Sequence, residues 1–284
     1  MNTENHIILS DGRKLSYAKY GKQDGYPVMY FHGTPSSRLE PAVIGDDVWS
    51  RLGLRIIAPD RPGMGGSDFH PNRGFSDWPK DVTALADTLG LGQFAVLGNS
   101  GGGGYALVCA AKIPKRLLAT VIVSGSCGRM DSPEALNSLS VPNRLFWLLA
   151  RHAPFIMPSL LKAMSGTSPD QMKKGLRPAD LAVVEQPGRV EAFMQMIQAT
   201  IHQGTKGPLW DMRMYVRKFD FRLDEIQMPL KWLHGEQDGN VPIALVRKVV
   251  TELPSAQLIT YKNEAHISTF VNHVDEIAQA LGKR

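Results

Sequence analysis

Val96-Leu97-Gly98-Asn99-Ser100-Gly101-Gly102-Gly103-Gly104 sets one serine between glycines two residues away on either side, at the end of an apolar run. Residues 94–97 are strand formers and residues 105–112 make a good helix, so the stretch predicts a strand turning sharply into a helix with Ser100 at the tip. Strand and helix approach each other closely in such a turn, and the flanking positions must be nearly free of side chain. Ser100 is therefore a candidate nucleophile. A plain helix N-cap would not need glycine on both sides. A single match of this kind carries little weight, and the reading depends on partners elsewhere in the chain.

Outward from this turn, the pattern alternates. Residues 6–10 and 14–20 flank Asp11-Gly12 as an opening hairpin. Strand candidates at 28–31, 54–58, 94–97 and 118–123 are separated by helical stretches at 40–52, 78–89 and 103–112. The alternation resumes with a strand at 230–233, a helix at 243–253, a strand at 257–260 and a last helix near 270–281. Strands alternating with helices predict an α/β fold with an eight-stranded, mostly parallel sheet covered on both faces. Between the two blocks no strand signal appears. Ser132-Pro133-Glu134 and Ser168-Pro169-Asp170 each offer a capping serine, a proline at the first helical position and an acid in the first turn; Gly175 supplies a stop. Residues 128–225 thus read as an all-helical cap inserted after the sixth strand, with residues 1–127 and 226–284 forming the core. Ligands of such sheets sit beyond the carboxyl ends of the strands, where the cap would roof them.

The chain's 284 residues suit one α/β core plus an insertion. Hydrophobic residues at 43% and charged residues at 21% argue against disorder or a fibrous class. The formal charge of +5 comes from basic residues interspersed with acids, without a stripe, so no nucleic-acid partner is expected. Residues 1–14 are polar and no apolar run approaches the roughly 20 residues that cross a bilayer, which predicts a soluble, cytoplasmic protein without a membrane partner. Cys109 and Cys127 read as two reduced, buried thiols. Nothing resembles a metal-ligand cluster or a phosphate-cradling loop, so neither metal nor organic cofactor is expected.

A serine hydroxyl needs a histidine base, and the histidine needs an acid to fix its tautomer. Asp238 lies just past the seventh predicted strand and His266 just past the eighth, both in predicted loops at the same sheet edge as Ser100. With Phe31-His32-Gly33-Thr34-Pro35 after the third strand and Pro59-Asp60-Arg61-Pro62-Gly63-Met64-Gly65-Gly66-Ser67 after the fourth, the chain resembles the α/β-hydrolase fold family over nearly all of its length. The order serine, acid, histidine is that family's order. Family members usually carry glycine just before the histidine, where Ala265 stands here.

The resemblance implies a serine hydrolase with Ser100, His266 and Asp238 as catalytic residues and the backbone amides of Thr34 and Gly101 as oxyanion donors. Asp131, after the sixth strand, is the reserve acid, since some members place it there. His273, His202 and His152 fall in helical patterns and compete weakly with His266. His32 and His234 read as loop holders, and Asp60 with Arg61 as a turn scaffold. Gly101, lacking a side chain, is expected to widen the acyl pocket. The methionines and aromatics of the insertion, among them Met164, Met212, Phe193 and Trp210, read first as helix packing and second as an adaptable apolar roof. Which of them would bind substrate is left open, as is the oligomeric state.

The implied substrate is a small or medium acyl compound, a carboxylic ester or thioester. Cleavage of a carbon–carbon bond or an N-terminal peptide uses the same machinery, although His32-Gly33-Thr34-Pro35 differs from the H-G-G-P-G of proline iminopeptidases. Serine at the turn argues against haloalkane dehalogenases and epoxide hydrolases, which carry aspartate there. A ligand receptor with feeble turnover on the same fold is the competing class.

Overall fold

The computed structural model describes residues 1–126 and 128–282. Strands β1 (Asn2–Ile8), β2 (Lys14–Gly21), β3 (Tyr26–Phe31), β4 (Leu54–Pro59), β5 (Phe94–Asn99), β6 (Leu117–Val123), β7 (Leu230–Gly235) and β8 (Ala256–Tyr261) form one sheet. Its order is β1-β2-β4-β3-β5-β6-β7-β8. β3 to β8 pair parallel throughout, while β2 runs antiparallel to both β1 and β4. The central strand β5 is buried at every residue, as a strand covered on both faces must be. The edge strand β1 alternates in exposure and begins earlier than expected, because its polar Asn2-Thr3-Glu4-Asn5 opening carries no apolar signal.

One apolar core lies on each face. Trp78, Val82, Leu85, Tyr105, Leu245 and Val249 pack against one side of the sheet. Trp49, Phe270, Val274 and Ile277 pack against the other. The stretch at 40–52 divides into a short 3₁₀ turn, Glu40–Val43, and a helix, Asp46–Arg51, on either side of Gly45, whose φ of +105° no helix accommodates. The last helix likewise divides into His266–Asn272 and Val274–Ala280. His266 is consequently the first residue of a helix rather than a loop residue.

Between β6 and β7 the described residues build seven α-helices: Pro133–Ser138, Val141–His152, Met157–Ser165, Pro169–Lys173, Pro178–Val184, Arg189–Thr200 and Lys206–Tyr215. Ser132 and Ser168 cap their helices through the side-chain oxygen, and Gly175 sits at φ +86° after the fourth of them. Ala150, Met157, Leu161, Met212 and Val216 form a small core of this segment's own. Cys109 is buried, and burial pushes its thiol well above the ordinary range; Cys127 lies outside the described residues. Among the described residues no helix is long and apolar enough to cross a membrane.

Candidate active site

β5 ends at Asn99, and the chain passes through Ser100 at φ +49° into the 3₁₀ turn Ser100–Gly102 and the helix Gly103–Lys112. A side chain in this left-handed region costs on the order of 1–3 kcal/mol and persists only where the surroundings enforce it. The glycines show what enforces it. A Cβ on Gly98 would stand 2.6 Å from the carbonyl oxygen of Gly102, one on Gly102 1.9 Å from that of Phe31, and one on Gly103 2.8 Å from that of Ser126. On Gly101 it would stand 2.4 Å from Thr34 Oγ1 and 2.8 Å from the Thr34 nitrogen. The expectation that Gly101 opens the acyl pocket is therefore corrected: its missing side chain is the space Thr34 occupies.

Three distant residues meet at this turn. His266 Nε2 lies 2.9 Å from Ser100 Oγ, and its Nδ1 lies 2.8 Å from Asp238 Oδ2. Asp238 Oδ1 accepts from the backbone N–H of Asn240 and Val241, each at 2.8 Å. Burial alone would push the Asp238 carboxyl up, but the charge and hydrogen bond of His266 hold it below the ordinary carboxylate range. Burial likewise disfavours the His266 imidazolium, yet Asp238 outweighs it, with Asp180 and Glu40 adding, and its pKa is raised.

The other candidates are committed elsewhere. Asp131 is held by Arg129 at 2.8 Å and Arg151 at 3.0 Å. His273 stacks on Tyr261 and contacts Glu276, and His152 and His202 are exposed. His234 Nε2 lies 2.9 Å from the Val241 carbonyl, fixing the loop that carries Asp238. His32 is fully buried: its Nδ1 donates to the Gly33 carbonyl at 2.9 Å and its Nε2 accepts from the Arg61 N–H at 3.2 Å.

The Thr34 N–H has no hydrogen-bond partner among the described residues, and Thr34 packs directly against Gly101. Behind it lies a polar network that the sequence did not announce. Asp60 is the expected scaffold, accepting from the Arg38 N–H at 2.6 Å and the Gly66 N–H at 2.8 Å. Arg61 does more than scaffold its turn. Its Nη2 donates to the Gly33 carbonyl and to Thr34 Oγ1, both at 2.6 Å, and its Nε donates to Asp211 Oδ2 at 2.7 Å. Asp211 comes from the inserted helix Lys206–Tyr215 and also accepts from Thr34 Oγ1, Tyr105 Oη and Arg73. A second inserted carboxylate, Asp180, accepts the N–H groups of Ile267 and Ser268, both at 2.8 Å, and so caps the helix that begins with His266. Glu40 Oε2 accepts from Tyr30 Oη and the Gly33 N–H, each at 2.8 Å; burial raises its pKa despite these bonds.

Two cavity lobes of about 190 and 200 Å³ meet at Thr34, Ser100, Met164, Asn240 and His266. One is bounded further by Ser126, Asn143, Trp147 and Tyr215. The other is bounded by Glu40, Asn99, Phe193, Met196, Ile267 and Phe270. Met164, Phe193 and Met196 face the site, whereas Met157 and Met212 are packing residues of the small core. Among the described residues no group of histidine, cysteine, aspartate and glutamate side chains is arranged to hold a metal ion.

Comparison with known proteins agrees with this architecture. A match to a non-heme chloroperoxidase from Streptomyces lividans is 35% identical over 127 residues, covering 42% of this chain and 43% of that protein. The 2-hydroxymuconate semialdehyde hydrolase of Pseudomonas putida is 34% identical over 96% of this chain and 91% of its own. A carboxylesterase structure from the thaumarchaeon Nitrososphaera superposes with a TM-score of 0.71 at 16% identity, covering 98% of this chain and 97% of its own. The model of the alpha/beta hydrolase fold matches residues 26–273. With that match spanning most of the chain, and with the sheet order and strand-to-helix turn described above, the protein belongs to the α/β hydrolase fold family.

Proposed function

We propose that the protein is a serine hydrolase that cleaves a small or medium carboxylic ester or thioester through an acyl-enzyme on Ser100. The observation that carries this reading is the unbroken run of contacts from Ser100 Oγ to His266 to Asp238, at 2.9 and 2.8 Å. Ser100 Oγ attacks the acyl carbon as its proton passes to His266 Nε2, and Asp238 stabilises the imidazolium. The N–H groups of Thr34 and Gly101 receive the developing oxyanion, each such donor contributing about 3 kcal/mol to lowering the barrier. Collapse expels the alcohol or thiol, which takes the proton from Nε2. Water, deprotonated by the same nitrogen, then attacks the acyl carbon and releases Ser100. The inserted helices act as a cap, spanning residues 128–225, whose apolar side chains exclude water from the two lobes.

A second reading has specific support. The 34% identity to a 2-hydroxymuconate semialdehyde hydrolase over most of both chains favours cleavage of a carbon–carbon bond beside a carbonyl by the same residues. Turnover of p-nitrophenyl esters of graded acyl length, measured beside consumption of 2-hydroxymuconate semialdehyde, separates the two. Rapid ester turnover lost in Ser100→Ala supports the esterase. Rapid loss of the semialdehyde with slow ester turnover supports the carbon–carbon hydrolase. A single slow turnover accompanied by a ligand-induced rise in melting temperature overturns both in favour of a receptor.

A further inference from the structure

Gly33 and Thr34 share one peptide group, so the direction of the Gly33 carbonyl fixes the opposite direction of the Thr34 N–H. That carbonyl is gripped by Arg61 Nη2 at 2.6 Å and by His32 Nδ1 at 2.9 Å. Arg61 also donates to the His32 carbonyl, and its guanidinium lies 4.7 Å from the centre of the Tyr105 ring. Its Nε is oriented by Asp211, and both side chains of that pair have no exposure to solvent. Asp211 stands 150 positions from Arg61 in sequence and belongs to the inserted helices. A buried ion pair is weak grounds for stability, because desolvating two charges offsets much of their attraction. Its geometry here has a different use. Among the described residues, every hydrogen bond of the Arg61 guanidinium ends on the loop that carries Thr34 or on Asp211.

We infer that Arg61 and Asp211 are positioning residues: together they lock the Gly33–Thr34 peptide with its N–H toward Ser100, so that the inserted helices complete the oxyanion site when they seat on the sheet. The inference rests on the proposed role of Thr34 in acyl transfer. Asp211 touches no substrate; it acts through Arg61 and the Thr34 hydroxyl. If the anchor is lost, the Gly33 carbonyl keeps only its contact with His32, the peptide can turn, and one of two donors is weakened in the transition state, while ground-state binding in the lobes is untouched.

The experiment compares wild-type and Asp211→Asn proteins against two probes of the same carbon skeleton. One is an alkyl trifluoromethyl ketone, which forms a tetrahedral adduct with a serine hydroxyl; the other is the matching secondary alcohol, which forms none. For Asp211→Asn the expected result is a fall of about 100-fold in kcat with KM within threefold. Trifluoromethyl ketone affinity falls by a similar factor and alcohol affinity is unchanged. Asp211→Glu should recover part of the loss. If Asp211→Asn does not fold, Thr34→Val removes only the hydroxyl link to Arg61 and Asp211 and keeps the N–H. A three- to tenfold loss of ketone affinity, again without change for the alcohol, is then expected. A folded variant that binds the ketone as wild type does overturns the positioning role. That result is distinct from failure of the acyl-transfer reading, which would show as wild-type turnover that is absent or that survives Ser100→Ala.

Discussion

In the proposed reaction His266 serves as a base only while its imidazole is neutral, and the Asp238 carboxylate 2.8 Å from Nδ1 favours the charged form against the effect of burial. A raised pKa means that protonation inactivates the base already at a pH above the ordinary imidazole value. The acidic limb of kcat/KM should therefore lie above that value. In Asp238→Asn the favouring charge is gone, so the limb should move to lower pH while kcat drops by about 10⁴-fold; an unmoved limb in a pH–rate profile would show that another group sets it. The glycines of the turn make a second prediction. Gly101→Leu should not shift acyl-chain preference but should displace Thr34, lowering kcat at least tenfold across a panel of ester chain lengths, because its Cβ alone collides with the Thr34 backbone.

The helix His266–Asn272 is short and owes its first turn to Asp180, a residue of the inserted helix Pro178–Val184. Removing this buried cap in Asp180→Ala should cost about 1–2 kcal/mol of stability, read by denaturant unfolding. It should also reduce kcat, since His266 begins the helix that Asp180 anchors. Elements of this kind explain what could be read from sequence and what could not. Ser100, Asp238 and His266 were legible because each sits in a short segment at the end of an apolar strand, and strand ends converge on one sheet edge. Asp180 and Asp211 were not, because each is a single carboxylate on a helix that looks like any other solvated helix face. Their partners lie 87 and 150 positions away. The break of the 40–52 stretch at Gly45 and the polar start of β1 were missed for local reasons: an isolated glycine inside a helical pattern and an edge strand without apolar alternation. The run of four glycines was legible as a turn running into a helix, but its cause, contact with Phe31, Thr34, Ser126 and Phe75, exists only in the folded chain.

Across the whole molecule, the sheet is buried between two extensive cores, to which the inserted helices contribute Ala135, Met214, Tyr215 and Val183, whereas the cluster of those helices' own is small. The helix Val141–His152 buries only Ala150, and Pro169–Lys173 buries nothing. Directional links fasten this segment to the core: Asp180 and Asp211, the Gln203 side chain to the Gly65 carbonyl at 2.8 Å, and Tyr215 Oη to the Gly101 carbonyl at 2.5 Å. Few apolar contacts place a segment at the low end of local stability. Hydrogen exchange followed by mass spectrometry should accordingly show peptides from 141–152 and 169–173 exchanging well before those of β5 and β6. Equal protection would mean that insertion and sheet open as one unit.

The left-handed backbone at Ser100 sets stability against chemistry. Ser100→Gly would relax the residue without disturbing its glycine neighbours, so the inactive variant should melt a few degrees higher than the working protein, consistent with a release of roughly 1 kcal/mol. Selection for heat resistance alone would erase the proposed nucleophile, and a more durable version of this molecule has to find its gains far from the turn, among the loosely packed helices above it.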